Sequence, residues 1–298
     1  MAHTGNDDAG AAQGNRRWLQ FGVAALAAFM ATLDSSIVNV ALPSIAAEFE
    51  ADVKTAAWVV QAYLLTTMAL LLIGGRMLDL WGARRVIAFG FVGFTLGSAL
   101  CALAAGIEML IAARAFKGIG AAVLMSCNQG LIAQAFPPEK RGRTLGMVGT
   151  VVSLGLASGP PLGGLLIGLL GWRSVFWVNI PVGVAAVWLT LRAIEARRRP
   201  GRAWTFDWPG TVMIAAGLAA LFVGLDLGVD RGWGDGAVLG LIGFSLAVLA
   251  LFLVNESRAP APILKIGIVA DRFFSQSCAA AFLAFFAMIS VMILTPFY

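Results

Sequence analysis

"WLQFGVAALAAFMATLDSSIVNVALP", Trp18 to Pro43, decides the architecture. No charge interrupts it between Trp18 and Leu33, a length that covers most of a bilayer's hydrocarbon core. Arg16 and Arg17 precede it as they would a signal peptide. The apolar stretch nevertheless outruns a normal h-region and continues into Asp34 and Asn39. It reads as a first transmembrane helix that stays in the protein. Why an ionisable side chain sits where water is scarce is the question it raises.

Composition points the same way. Hydrophobic residues make up 59% of the 298 and charged residues 12%, more apolar surface than a soluble domain can hide. The 35 glycines let membrane helices approach closely. Apolar windows of about 20 residues predict nine spans, near 18–43, 55–77, 84–106, 107–134, 142–169, 174–195, 208–228, 236–255 and 274–298. No alternating barrel pattern appears, and a backbone in lipid must satisfy itself, so the spans are helices. The fold class expected is an all-α integral membrane bundle. Its parts are a tail (1–17), a six-helix bundle (18–195), a basic linker (196–207), a two-helix insert (208–255), a second linker (256–273) and one further helix (274–298).

Sixteen of the 21 Lys and Arg fall on the side that holds the N-terminus. Three (Lys54, Arg173, Arg231) fall on the other, while Arg114 and Lys117 lie within a span. That asymmetry places the N-terminus in the cytoplasm of a multi-pass inner (plasma) membrane protein. The net charge of +5 then reflects topology and not a nucleic-acid partner. All tryptophans except Trp188 lie near predicted span ends, as in an aromatic belt. With nine spans the chain stops at the outer face without a tail, so it is expected to be part of a longer protein.

Several chemistries have no residues to rest on. Cys101, Cys127 and Cys278 lie in apolar runs, which indicates neither a disulfide framework nor a thiolate metal site. The single histidine, His3, sits in the polar tail. There is no phosphate-binding G-x-x-x-x-G-K-[ST], and "GIGAAV" (Gly118 to Val123) lies inside a span without the strand a dinucleotide fingerprint requires. No enzyme, no metal and no cofactor are expected.

Four stretches carry a family resemblance: "LDSSIVNVALP" (Leu33 to Pro43), "GRMLDLWGARR" (Gly75 to Arg85), "RAFKGIG" (Arg114 to Gly120) and "GMVGTVVSLGLASGPPLGG" (Gly146 to Gly164). In this order they resemble the major facilitator superfamily, and within it the drug:proton antiporter branch with fourteen helices. They look like its first-helix motif, the loop signature between helices two and three, the fourth-helix arginine motif and the helix-five antiporter motif. The resemblance covers essentially all of 16–298, with helices seven and eight as extra spans and 274–298 opening the second half. Leu80 and Ala83 stand where the loop signature usually carries basic residues, and Lys117 where the fourth-helix motif usually has glutamine.

Each motif also has a reading of its own. Gly155, Gly159 and Gly163 recur every four residues and form one smooth stripe, while Pro160 and Pro161 remove two backbone donors and should bend the helix. The stripe suits sliding contact or ordinary tight packing; the resemblance implies a partner in the second half, with Gly146 and Gly164 in the same motif. Asp79 is either solvated or part of a cytoplasmic gate with Arg84 and Arg141, as the resemblance implies. Asp34 lies about 24 Å along its helix from Trp18, and Arg114 about 10 Å from the opposite face of an antiparallel one. In a core about 30 Å thick the two share a depth, with Lys117 at i+3 on the same helix face as Arg114.

Such groups pair with one another or face a cavity, so one polar site is expected, as a static pair or as a functional one. Asn39 and Tyr63, polar groups of the first two spans, are assigned to the same cavity, as is Lys117, unless that side chain snorkels elsewhere.

The resemblance implies a proton-coupled antiporter that exports small hydrophobic compounds, drugs or natural-product antibiotics, by alternating access. Asp34 would carry the proton and Arg114 would tune it, since burial favours the neutral carboxyl and a neighbouring cation the ionised one. The partners expected are a small-molecule substrate, protons, the lipid bilayer and a missing C-terminal half. The alternative is a truncated, non-transporting membrane protein that serves as a scaffold or an oligomeric subunit.

Overall fold

The computed structural model describes residues 4–195, 207–259, 267 and 271–294, with their side chains except those of 4–15, Asp79 and 288–294. Among the described residues every regular element is a helix. The order is α1 (Thr4–Glu48), α2 (Val53–Trp81), α3 (Ala83–Ala102), α4 (Ile107–Ala135), α5 (Pro138–Leu170), α6 (Ser174–Trp177), α7 (Asn179–Ala193), α8 (Trp208–Arg231), α9 (Gly236–Arg258) and α10 (Arg272–Leu294). Eight segments are long and apolar enough to cross a membrane, with α6 and α7 together forming one. The described part of the ninth predicted span, Arg272–Ala287, is a shorter apolar helix. The protein is a multi-pass helical membrane protein.

Two boundaries differ from expectation for local reasons. The helix of the first span begins at Thr4, in the predicted tail, because extending a formed helix is far easier than nucleating one and Ala9, Ala11 and Ala12 favour it. The sixth span, expected as one helix, breaks at Val178 between α6 and α7. Pro181 has no amide hydrogen to donate to Trp177, so the hydrogen-bond ladder fails there. Residues 196–206, most of 260–270 and 295–298 lie outside the described residues, and with them the larger part of both predicted linkers.

Helix α4 is the hub: it packs against α2, α3 and α1, while α1 packs on α5 and α7, and α7 on α3. Glycines set these distances. A Cβ on Gly120 of α4 would lie 2.8 Å from the Gly90 carbonyl oxygen and 2.9 Å from Phe94 Cα, so α3 and α4 meet backbone to backbone. A Cβ on Gly118 would lie 2.8 Å from the Tyr63 carbonyl oxygen on α2. The glycines of "GIG" are therefore packing residues.

Sharp reversals need the positive φ that glycine tolerates: Gly82 (φ 83°) is the single residue between α2 and α3, and Gly171 (φ 78°) ends α5. The Gly82 amide donates to Leu78 and its carbonyl accepts from Val86, closing one helix and opening the next.

Burial falls into two apolar clusters. One surrounds Val86, Phe91, Leu131 and Phe136, toward the end of the bundle that carries Arg84 and Arg141 and is called the basic end below. The other surrounds Ile45, Val59, Leu110, Trp172 and Phe176, toward the far end. The far end is fastened by Glu48, which accepts from Trp172 Nε1 at 2.7 Å and Arg173 Nη1 at 2.5 Å. Arg173 also reaches the Ala104 carbonyl at 3.1 Å, so the end of α1, the α3–α4 turn and the α5–α6 turn share one knot.

Helices α8 and α9 form a hairpin about Gly232 (φ 87°). Asp235 caps α9 by accepting from the amides of Ala237 and Val238, and Asp207 caps α8 by accepting from that of Gly210. The hairpin rests against α2, where Gln61 Nε2 donates to Asp226 at 3.0 Å and Lys54 pairs with Asp230. The described side chains of α10 are exposed throughout.

Candidate functional site: a buried carboxylate between two cations

Asp34, Arg114 and Lys117 meet between the two apolar clusters, and none of the three is reached by solvent. Arg114 Nη1 donates to Asp34 Oδ2 at 2.5 Å and Lys117 Nζ to Asp34 Oδ1 at 2.5 Å. The helices dictate this. Arg114 and Lys117 stand at i and i+3 on α4, one turn apart on one face, and α1 crosses that face at Asp34. Gly97 of α3 lets Lys117 sit so deep: a Cβ there would lie 2.6 Å from Lys117 Cβ and 2.7 Å from its Cα.

Each cation has further support. Arg114 Nε donates to the Val59 carbonyl at 2.9 Å, and its guanidinium lies 4.2 Å from the centre of the Tyr63 ring. The Tyr63 hydroxyl donates to the Ala31 carbonyl at 3.3 Å. Lys117 Nζ lies 4.4 Å from the centre of the Phe94 ring and 5.3 Å from that of Phe176, contacts that favour a desolvated ammonium. Arg114 Nη2 has no hydrogen-bond partner among the described residues. With all three groups ionised, the cluster carries one formal positive charge in excess, enclosed where screening is weak.

Of the residues singled out from the sequence, Asp34, Arg114, Lys117 and Tyr63 come together here. Asn39 does not, being exposed on another face of α1. Five residues turn a helix through about 500°, which carries Asn39 roughly 140° away from Asp34. Arg141 lies at the basic end, where Nε donates to the Phe136 carbonyl at 3.0 Å and Nη2 to that of Ala133 at 2.7 Å, closing the C-terminus of α4. Arg84 is partly exposed at the start of α3, and the side chain of Asp79 lies outside the described set.

A fifth member of the site escaped the sequence reading. Asn179 Nδ2 donates to Asp34 Oδ1 at 3.3 Å and to the Val175 carbonyl at 3.2 Å, from the break between α6 and α7. The signal was present as an amide within the apolar run "VFWVNIPVG".

The helix-five stripe requires a correction. Its expected partner lay beyond this chain, but Gly155, Gly159 and Gly163 face α1. Cβ atoms on them would lie 3.2 Å from the Phe29 carbonyl oxygen, 3.0 Å from Ile37 N and 3.0 Å from Ile37 Cγ1 respectively. Nine residues turn a helix about 900°, half a turn net, so Gly146 and Gly164 lie opposite Gly155. Both are exposed with nothing near their Cβ positions, and Pro160 is exposed beside them. The stripe is a seam inside the bundle; the other glycines of the motif face outward.

Gly159→Ala is accordingly expected to destabilise the bundle by about 1–3 kcal/mol as an overpacking change. Gly164→Ala should leave stability within about 0.5 kcal/mol. Melting of the two variants in one detergent distinguishes them; equal melting points would show that the α1–α5 seam is not tight.

The class of protein is thus a polytopic helical membrane protein with an ionisable cluster enclosed by apolar helices. The particular family follows from comparison: a model of the Major Facilitator Superfamily matches residues 24–298, and the chain belongs to that superfamily.

Similar proteins include a riboflavin transporter of Clostridioides difficile, 31% identical over 283 residues (95% of this chain, 61% of the relative). A probable actinorhodin transporter of Streptomyces coelicolor is 36% identical over 284 residues (93% and 49%). A methylenomycin A resistance protein of Bacillus subtilis is 35% identical over 279 residues (93% and 59%). The chain thus spans about half the length of the curated relatives it matches.

Proposed function

We propose that the chain works as part of a proton-coupled antiporter that exports small hydrophobic compounds, of the drug or natural-product kind, by alternating access. The observation that carries this reading is the enclosed Asp34, held by Arg114 and Lys117 with no path to water. A carboxylate in that position gains or loses a proton only when the bundle opens, and opening is what a rocking transporter does. The names of the similar transporters and resistance proteins support the substrate class.

In this reading Asp34 carries the proton and Arg114 tunes it. Tyr63 positions Arg114, while Lys117 belongs to the substrate path. The basic end faces the cytoplasm of the plasma membrane, as the sixteen-to-three distribution of Lys and Arg supports. Asp79, Arg84 and Arg141 form its gate. The outward face of α5, with Gly146, Pro160 and Gly164, meets a second helical half, α8 and α9 being the insert between halves and α10 the first helix of the second. The protein acts as a transporter and not as an enzyme.

The test is an imposed pH gradient across proteoliposomes holding the complete transporter, with ethidium, riboflavin and fluorescein as probes. Accumulation of at least one probe that collapses with the gradient is expected. Probe movement indifferent to the gradient would remove the proton from the mechanism.

Lys117 bears on selectivity. Two cations against one carboxylate leave an excess positive charge that repels a cationic substrate in a low-dielectric space. Lys117→Gln is therefore expected to raise ethidium export at least several-fold relative to riboflavin or fluorescein. Identical export profiles for the variant and the wild type would separate Lys117 from selectivity.

A further inference from the structure

A groove of about 400 Å³ lies at the basic end between α3 and α7, lined by Arg84, Arg85, Ala88, Phe89, Val92 and Leu191. It opens outward, and Phe89 on its floor lies about 160° around α3 from Phe91, which packs into the bundle. It combines two features that an amphipathic anion needs.

The first is charge. Arg84 and Arg85 are the second and third residues of α3, and neither makes a hydrogen bond or an ion pair among the described residues. The amides of this first turn also lack intrahelical acceptors, and Gly82 supplies no side-chain cap, so helix and arginines together favour an anion. Arg192, which follows Leu191 on α7, stacks on Trp188 at 4.2 Å.

The second is the floor. Phe89 is 65% exposed, Leu191 44% and Val92 39%, although all three are large and apolar. From Arg84 to Val92 is eight residues, about 12 Å along the helix, the distance from a headgroup to the upper acyl chain. Leu96 and Leu100 continue the exposed apolar row down α3. Cations at the mouth and an apolar row along α3 beneath them match one molecule end to end.

We propose that this groove binds an anionic glycerophospholipid of the leaflet that the basic end faces, its phosphate between Arg84 and Arg85 and an acyl chain along Phe89, Val92 and Leu191. Basic pockets between transmembrane helices hold anionic headgroups in this manner. Arg141, at the same end, is held by the carbonyls of Phe136 and Ala133 and is not part of the groove. The site is separate from the Asp34 cluster and shares Arg84 with the proposed gate.

The test is native mass spectrometry of the full chain in detergent with equal amounts of a phosphatidylglycerol and a phosphatidylcholine of the same acyl chains. Wild type is expected to retain the phosphatidylglycerol in preference by roughly tenfold, equivalent to about 1.4 kcal/mol. Arg84→Gln/Arg85→Gln should bring the ratio to within about twofold of parity, and Arg143→Gln, at an exposed arginine of the same end, should leave it unchanged. Parity in the wild type overturns the site, as does preference retained by the double variant or lost equally in Arg143→Gln. Displacement of the lipid by an equal concentration of glycerol 3-phosphate would show that the headgroup alone is recognised, and would overturn the assignment to a lipid.

Discussion

Asp34→Asn is expected to cost this protein both proton-driven transport and a large part of its stability. Asparagine keeps the shape but has one acceptor oxygen where Asp34 uses two, so the charge and one acceptor are lost. Arg114 and Lys117, both fully buried and both on Asp34 in the wild type, are then left as two cations without a counter-charge. Removing one partner of a buried pair costs about 3–5 kcal/mol, and this carboxylate serves two. Adding Lys117→Gln to Asp34→Asn should recover part of the stability, since only one cation then remains uncompensated, and none of the proton coupling. Unfolding measurements therefore separate the structural role of Asp34 from the functional one. A double variant no more stable than Asp34→Asn would mean that Lys117 is not held by the carboxylate.

The second large effect falls on a residue with no side chain. Helix propensity says that Gly120→Ala should stabilise α4 by about 1 kcal/mol. Packing says the opposite, because the new methyl would lie 2.8 Å from the Gly90 carbonyl oxygen and 2.9 Å from Phe94 Cα, backbone atoms that cannot turn aside. Overpacking of this kind costs about 1–3 kcal/mol, and it pushes α3 away from α4 one turn from the place where Gly97 admits Lys117. Packing is expected to win, with a net loss of stability and a loosened charge cluster. A Gly120→Ala variant that melts at or above the wild-type temperature would show that α3 and α4 are not in backbone contact.

What could be read from the sequence follows from what each signal depends on. Apolar length alone locates a span, so the first eight predicted spans fall on helices, as does the described part of the ninth. Depth along antiparallel helices needs only the rise per residue, so Asp34, Arg114 and Lys117 could be brought to one level before any coordinates. The direction a stripe faces is another matter. Spacing shows that Gly155, Gly159 and Gly163 share a face, but both α1 and an external helix would suit a smooth surface, and only the packing of α1 chooses. Asn179 was missed because one amide in an apolar run has no spacing partner; its role arises from the break that Pro181 makes. Asn39 was grouped with Asp34 through nearness in sequence, where the helical angle between them separates the two.

The central claim is that the enclosed carboxylate carries the proton that drives exchange. The most direct measurement follows protons, with a pH-sensitive dye inside proteoliposomes that hold the complete transporter and no imposed ion gradient. When a transported probe is added outside, the wild type should move protons in the opposite direction to the probe. The Asp34→Asn variant should bind the probe and move none. Equal proton movement by the Asp34→Asn variant and the wild type would contradict the account.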